Sequence, residues 1–163
     1  MDLKLRAATT EDWAAIWPFW HRIVAAGETY DWDPATDEPT ARALWMAPPP
    51  ARVYVAEHAG RVVGSAVLKP NRARLGDHVA NAGFMVDPDA AGRGIGRRLA
   101  VHVLDEARRH GYRAMQFNAV VETNHGAVAL WRALGFEILA TVPEAFRHAR
   151  LGLVGIHIMY RRL

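Results

Sequence analysis

The amino-acid sequence predicts an α/β (α+β) sandwich, with a mixed sheet of about seven strands and helices on both faces. Three observations carry that expectation. Alternating and helical hydrophobic patterns follow one another in the order β, α, α, β, β, β, α, β, α, β, β. A glycine-rich turn joins a strand directly to a helix in mid-chain. Hydrophobic residues make up 51% of 163 residues, which supports one packed core and leaves little room for a second, so residues 1–163 read as a single domain.

Each element has its own warrant. Leu3 to Ala7 reads as a short strand. Thr9, with an acid three residues on at Asp12, resembles a capping box and opens a helix. Trp13, Ile16, Trp17, Trp20 and Val24 follow at helical spacing; Pro18 should kink or divide that helix, and Gly27 ends it. GETYDWDPATDEP is a polar, proline-bearing loop before a second short helix over 40–46. Val53–Glu57 and Val62–Lys69 alternate as strands about a His58–Arg61 turn. Val79–Val86 is the next strand, ended by Asp87-Pro88. Leu99, Ala100, Val103, Leu104 and Ala107 place an apolar stripe on a helix over 96–110, capped by Gly111. Ala114–Val121 is a strand and 124–134 a helix. Phe136–Val142 and Ile156–Arg161 close the chain as strands.

Composition narrows the function. The chain has no cysteine, so disulfides, a thiol nucleophile and thiolate metal sites are excluded. The eight histidines show no metal-ligand spacing, and no metal is expected. The net charge of +3 comes from basic residues spread along the chain in short pairs such as Arg97-Arg98 and Arg161-Arg162, not from a basic stripe, so nucleic acid is not the expected partner. No apolar run approaches membrane-spanning length or resembles a signal peptide, which points to the cytoplasm and away from a membrane.

The sharpest chemical signal is Ala91-Gly92-Arg93-Gly94-Ile95-Gly96, directly after a strand and opening a helix. Alternate glycines let backbone approach a ligand closely, and the free N–H groups of the first helical turn favour an anion such as pyrophosphate. Arg93, Arg97 and Arg98 add mobile positive charge beside it. The spacing is neither a Walker loop nor the dinucleotide fingerprint. A glycine-rich turn that only packs a helix on a sheet is the competing reading.

GFMVDPDAAGRGIGRRLAVHVL, followed after a strand by TNHGAVALWRALGF, resembles the GCN5-related N-acetyltransferases. Their pattern is a strand, Arg/Gln-x-x-Gly-x-Gly/Ala at a helix start, and a downstream Asn-x-x-Ala-x-x-Leu-Tyr-x-x-x-Gly-Phe. The resemblance implies a centrally splayed sheet and acetyl-CoA as co-substrate, with direct acetyl transfer to a small-molecule amine. It implies that Gly92, Arg93, Gly94, Ile95, Gly96 and Arg97 hold the pyrophosphate. The pantetheine would run along Phe84, Met85 and Val86, against Asn124 and Trp131. An unpaired main-chain N–H of the splayed strand would polarise the thioester carbonyl.

Two departures matter. Ala91 stands where the pattern has Arg or Gln, which removes a side-chain contact but leaves the amide cradle. Trp131 stands where many members carry a tyrosine that protonates the departing thiolate, and an indole N–H is no practical acid. Either water protonates the thiolate, or Asn124 and the helix N-terminus stabilise it unprotonated; core packing is the other reading of Trp131.

On the acceptor side, Glu122 is a candidate base, and Thr29 and Tyr30, with Trp32, are candidate walls of a small pocket closed by their loop. Asn81, Asn118 and Asn124 resemble a pattern in fungal N-acetyltransferases that act on proline analogues such as azetidine-2-carboxylate. That likeness implies that Asn81 and Asn118 hold a substrate carboxylate, with Asn118 and Asn124 also positioning the reacting groups. Asn118 is expected to be buried among apolar residues; the competing reading is that each asparagine only ties backbone across the splay. A small amino or imino acid is thus the expected acceptor. A peptide acetyltransferase and a non-catalytic acyl-CoA sensor are the alternatives. The family's frequent pairing through its last strands makes Leu151–Ile156 a candidate homodimer surface, with core packing as the competing reading.

Overall fold

The computed structural model describes residues 2–163. Its elements are β1 (Lys4–Ala7), α1 (Trp13–Ala26), α2 (Glu38–Trp45), β2 (Arg52–His58), β3 (Arg61–Pro70), β4 (Val79–Val86), α3 (Ile95–Arg109), β5 (Ala114–Val121), α4 (His125–Ala133), β6 (Glu137–His148) and β7 (Gly152–Arg162). The strands form one seven-stranded sheet in the order β1-β2-β3-β4-β5-β7-β6. Among the described residues no helix is long and apolar enough to cross a membrane.

Strand alternation divides the core into two layers. Ala66 and Leu68 of β3 and Ala80 and Ala82 of β4 pack with the α3 stripe of Leu99, Ala100, Val103, Leu104 and Ala107. Val67 and Met85 face the other way, onto Trp13, Ile16, Phe19, Trp20 and Val24 of α1 and Trp45 of α2. Pro18 does not divide α1, which runs unbroken over Trp13–Ala26. A proline removes one intrahelical hydrogen bond, and the four buried aromatic and aliphatic side chains that flank it, Ile16, Phe19, Trp20 and Val24, keep the helix on the sheet. The start of α1 is tied down as well: the Asp12 carboxylate accepts from the Thr9 N–H at 2.7 Å and from the Arg6 guanidinium at 2.7 and 2.9 Å.

The sheet opens in its middle. β4 and β5 are parallel, and their pairing ends at Val79–Ala114 and Ala80–Met115, although both strands continue for six more residues. The last hairpin is longer than its hydrophobic pattern suggests. β6 continues past Val142 to His148 through an irregularity between Val142 and Phe146, with Glu144 at φ 51°. Pro143 falls within that irregularity, which is why the alternation breaks there while pairing resumes at Phe146–Val154. Leu151 and Leu153 remain exposed, whereas Val154, Gly155 and Ile156 are half-buried or buried in the ladder, so packing within the chain accounts for only the second half of the segment 151–156.

Candidate active site

The splay between β4 and β5 opens into a cavity of about 740 Å³ that runs from the α3 N-terminus to the loop after α1. At its first end stand Ala91, Gly92, Gly94, Ile95 and Gly96. Gly92 and Gly94 take φ of +77° and +75°, a left-handed conformation closed to most other residues, and a Cβ at Gly92 or Gly94 would meet nothing within 4 Å. The turn is exposed and open at a helix start, where free N–H groups make a cradle that fits a pyrophosphate. Arg93 and Arg97 are exposed beside it, outside the cavity wall. Arg98 is not mobile charge: its guanidinium donates to the Leu3 carbonyl at 3.2 Å and links α3 to the chain start.

Phe84, Met85 and Val86 line the middle of the cavity. Facing them, Trp131 of α4 is buried at 8% exposure, its ring 5.0 Å from Phe84, 4.6 Å from Phe117 and 5.9 Å from Phe136. It is a core residue whose edge reaches the cavity. Asn124 is the N-cap of α4, its Oδ1 accepting from the Ala127 N–H at 3.4 Å, and it also lines the cavity. Its Nδ2 is left over for a ligand. Glu122 is turned away. Its carboxylate accepts from the Gly155 N–H at 2.6 Å, held against β7 where only a glycine fits (a Cβ would lie 2.9 Å from it), and it is not part of the cavity wall. The structure thus removes Glu122 from the position of a base.

The second end is the polar one. Lys69 of β3, Asn81 of β4 and Asn118 of β5 all point to the α1/α2 side and line the cavity, with Thr29, Tyr30, Asp31 and Trp32 of the loop opposite. Asn118 is exposed, not buried among apolar residues: it shares a face with Gln116, opposite the buried Phe117. Its Nδ2 donates to Asn71 Oδ1 at 2.7 Å, and its Oδ1 accepts from Gln116 Nε2 at 3.0 Å. Asn81 Nδ2 donates to the Gln116 carbonyl at 2.9 Å and so bridges the two splayed strands. Each amide has a second N–H that these bonds do not use.

Lys69 escapes a motif-based reading. It and Asp31 are the two charged residues that line the cavity, and Lys69 stands directly across from Asn81 in the β3–β4 register. Strand alternation carries the signal that could have found it, since Val67 and Lys69 must share a face with Asn81 and Gly83.

A cradle of backbone amides at a helix start, beside a parallel pair that comes apart, is the arrangement that the resemblance to acyl-CoA-dependent transferases implies. The chain belongs to the acetyltransferase (GNAT) family, whose model matches residues 11–136, and it is an acetyl-CoA-dependent N-acetyltransferase. It is 54% identical to a GCN5-related N-acetyltransferase from Kribbella flavida, with a TM-score of 0.95 over 99% of this chain and 98% of that one. It is 26% identical to yncA of Salmonella typhimurium, solved with its cofactor acetyl-CoA, with a TM-score of 0.83 over 100% and 95% of the two chains. It is 29% identical to the L-amino acid N-acyltransferase MnaT of Escherichia coli, over 87% of this chain and 84% of that protein. A match to the N-acetyltransferase aca1 of Schizosaccharomyces pombe, 36% identical, spans 53% of this chain and only 41% of the relative.

Proposed function

We propose that the protein acetylates the amine of a small amino or imino acid, with acetyl-CoA as donor. The observation that carries this reading is the continuity of one cavity from the amide cradle at Gly92–Gly96, past Phe84–Val86, to the polar end at Lys69, Asn81 and Asn118. The cradle suits the pyrophosphate, the open edge of β4 suits the pantetheine, and the Phe84 N–H suits the thioester carbonyl. At the far end the Lys69 ammonium provides a charge for a carboxylate, assisted by the remaining N–H of Asn81 and of Asn118. The aromatic wall of Tyr30, Trp32 and Trp45 fits a small side chain. The amine then lies between the two ends and attacks the thioester directly, with no covalent enzyme intermediate. The likeness to an L-amino acid N-acyltransferase supports the same acceptor class.

The test is thiol release from acetyl-CoA across a panel of free amino acids, imino acids including azetidine-2-carboxylate, their methyl esters, and polyamines. Free acids should react and their methyl esters should not. Equal turnover of methyl esters or polyamines would refute carboxylate recognition. A homodimer is a further part of this reading, supported by the exposed Leu139, Val142, Leu151 and Leu153 of the β6–β7 hairpin. Light scattering that gives a monomer mass would remove it.

A further inference from the structure

The Phe84 N–H is not free. The Tyr30 hydroxyl accepts from it at 3.0 Å and donates to the carbonyl of the same residue at 2.9 Å. One side chain thus satisfies both backbone groups at a point where β4 has lost β5 as a partner, four residues beyond the last paired position, Ala80. Packing of the ring positions the hydroxyl there. The ring stacks on Trp32 at 4.9 Å and meets Trp45 edge-on at 6.3 Å. Gly83 leaves the space it occupies, for a Cβ there would lie 3.2 Å from the hydroxyl. Trp131, across the cavity, has no hydroxyl to offer.

We propose that Tyr30 is a second oxyanion donor and forms, with the Phe84 N–H, a two-donor site for the thioester oxygen. The inference rests on the proposed passage of the thioester along β4. A carbonyl oxygen that takes the Phe84 N–H must displace the Tyr30 oxygen from it by about one hydrogen-bond length. The O–H then turns from the Phe84 carbonyl to that same oxygen. The amine lone pair attacks the carbonyl carbon, and the C=O π pair moves onto oxygen, where Phe84 and Tyr30 hold it by two hydrogen bonds. The pair returns to re-form C=O, the C–S bond breaks, and the electrons leave on sulfur as thiolate. The proton lost by the nitrogen passes to water, and Tyr30 keeps its own. Burial pushes the phenol well above its ordinary range, so it remains an O–H donor at every working pH and serves as neither base nor acid.

Tyr30→Phe retains the stacked ring and tests the hydroxyl alone. Its kcat should fall about 100-fold, with KM for acetyl-CoA within about threefold of wild type, and its thermal midpoint should fall modestly, because the Phe84 N–H and carbonyl lose their partner. The infrared carbonyl stretch of bound acetyl-CoA, carrying carbon-13 at the thioester carbonyl, should lie at lower frequency in wild type than in the variant. A kcat within about threefold of wild type, or a large loss of kcat with an unmoved carbonyl band, overturns the proposal. A wild-type protein that shifts the band on binding acetyl-CoA yet acetylates no amino acid refutes the acceptor reading and supports the donor.

Discussion

The end of the cavity beneath α3 is made of backbone, whereas the end beneath α1 and α2 is made of side chains drawn from separate elements. Five consecutive residues, Gly92 to Gly96, form the first, and their amides point where they do because of two left-handed glycines and a helix start. The second needs Lys69 from β3, Asn81 from β4, Asn118 from β5 and Tyr30 from the loop after α1, with Asn81 held by the Gln116 carbonyl, Asn118 by Asn71 and Tyr30 by Phe84. A backbone site recognises what all substrates of the reaction share, the coenzyme. A side-chain site can be changed one residue at a time, and in the proposed function it is there that acceptor choice resides. The two ends should therefore fail differently when altered.

The largest effect belongs to the backbone end. Gly94→Glu places a Cβ at φ +75°, which costs about 1–2 kcal/mol, and adds a negative charge beside the cradle. Acetyl-CoA affinity should fall by at least about 100-fold in folded protein, measured by calorimetry. Unchanged binding would show that the cradle does not hold the pyrophosphate.

Alteration of the side-chain end should leave the coenzyme untouched. Lys69→Ala should raise KM for a free amino acid about 10-fold or more, with KM for acetyl-CoA unchanged, because one charge-assisted contact is lost. Asn81→Ala should act in the same direction but less, since one of its N–H groups already serves the Gln116 carbonyl. If the two variants alter KM for acetyl-CoA instead, the division of labour between the ends is wrong.

This difference also decides what could be read from the sequence. Gly92–Gly96 and the α3 stripe are contiguous or regularly spaced, so a turn and a helical period reveal them. The acceptor end depends on pairs far apart in the chain: Asn81 with Gln116, Asn118 with Asn71, and Tyr30 with Phe84, separated by 35, 47 and 54 residues. No local pattern announces such contacts. Asn118 looks buried in a run of apolar neighbours because the run does not say where pairing with β4 stops; beyond Ala80 that face is open. Glu122 looks catalytic by its nearness to Asn124, yet the turn directs it to the Gly155 N–H. Pro143 hides six further residues of β6 because a bulge lets the strand resume.

Where the two ends meet, the middle of the cavity separates a capping role from a packing role. Asn124→Ala removes the α4 cap, a loss of about 1 kcal/mol, and should lower kcat about 10-fold by shifting the coenzyme arm. Trp131→Phe keeps an aromatic core and should hold kcat within about threefold, as expected of a side chain that is not the acid. Steady-state kinetics with the reverse ranking would assign the roles the other way.

The smallest effect concerns how the side-chain end is held in place. α1 backs its aromatic wall, Trp20 stacking on Trp32 at 5.3 Å, and α1 begins at Asp12, whose carboxyl is pulled down to about 2 by hydrogen bonds from the Arg6 guanidinium. A depressed carboxyl binds fewer protons in the folded state than in the unfolded chain, so its stabilisation is present above the ordinary value of 3.8 and is lost as pH falls toward about 2. The loss should reach at most about 2 kcal/mol, read from urea unfolding at successive pH values. In Asp12→Asn that increment should be absent below pH 4, while at neutral pH the variant should be about 1 kcal/mol less stable. The Asp12 carboxylate bonds Arg6 and Thr9 and not the cradle, so acetyl-CoA affinity of Asp12→Asn at neutral pH should match wild type even where KM for the amino acid rises. A parallel loss of both would mean that the two ends of the cavity are one mechanical unit.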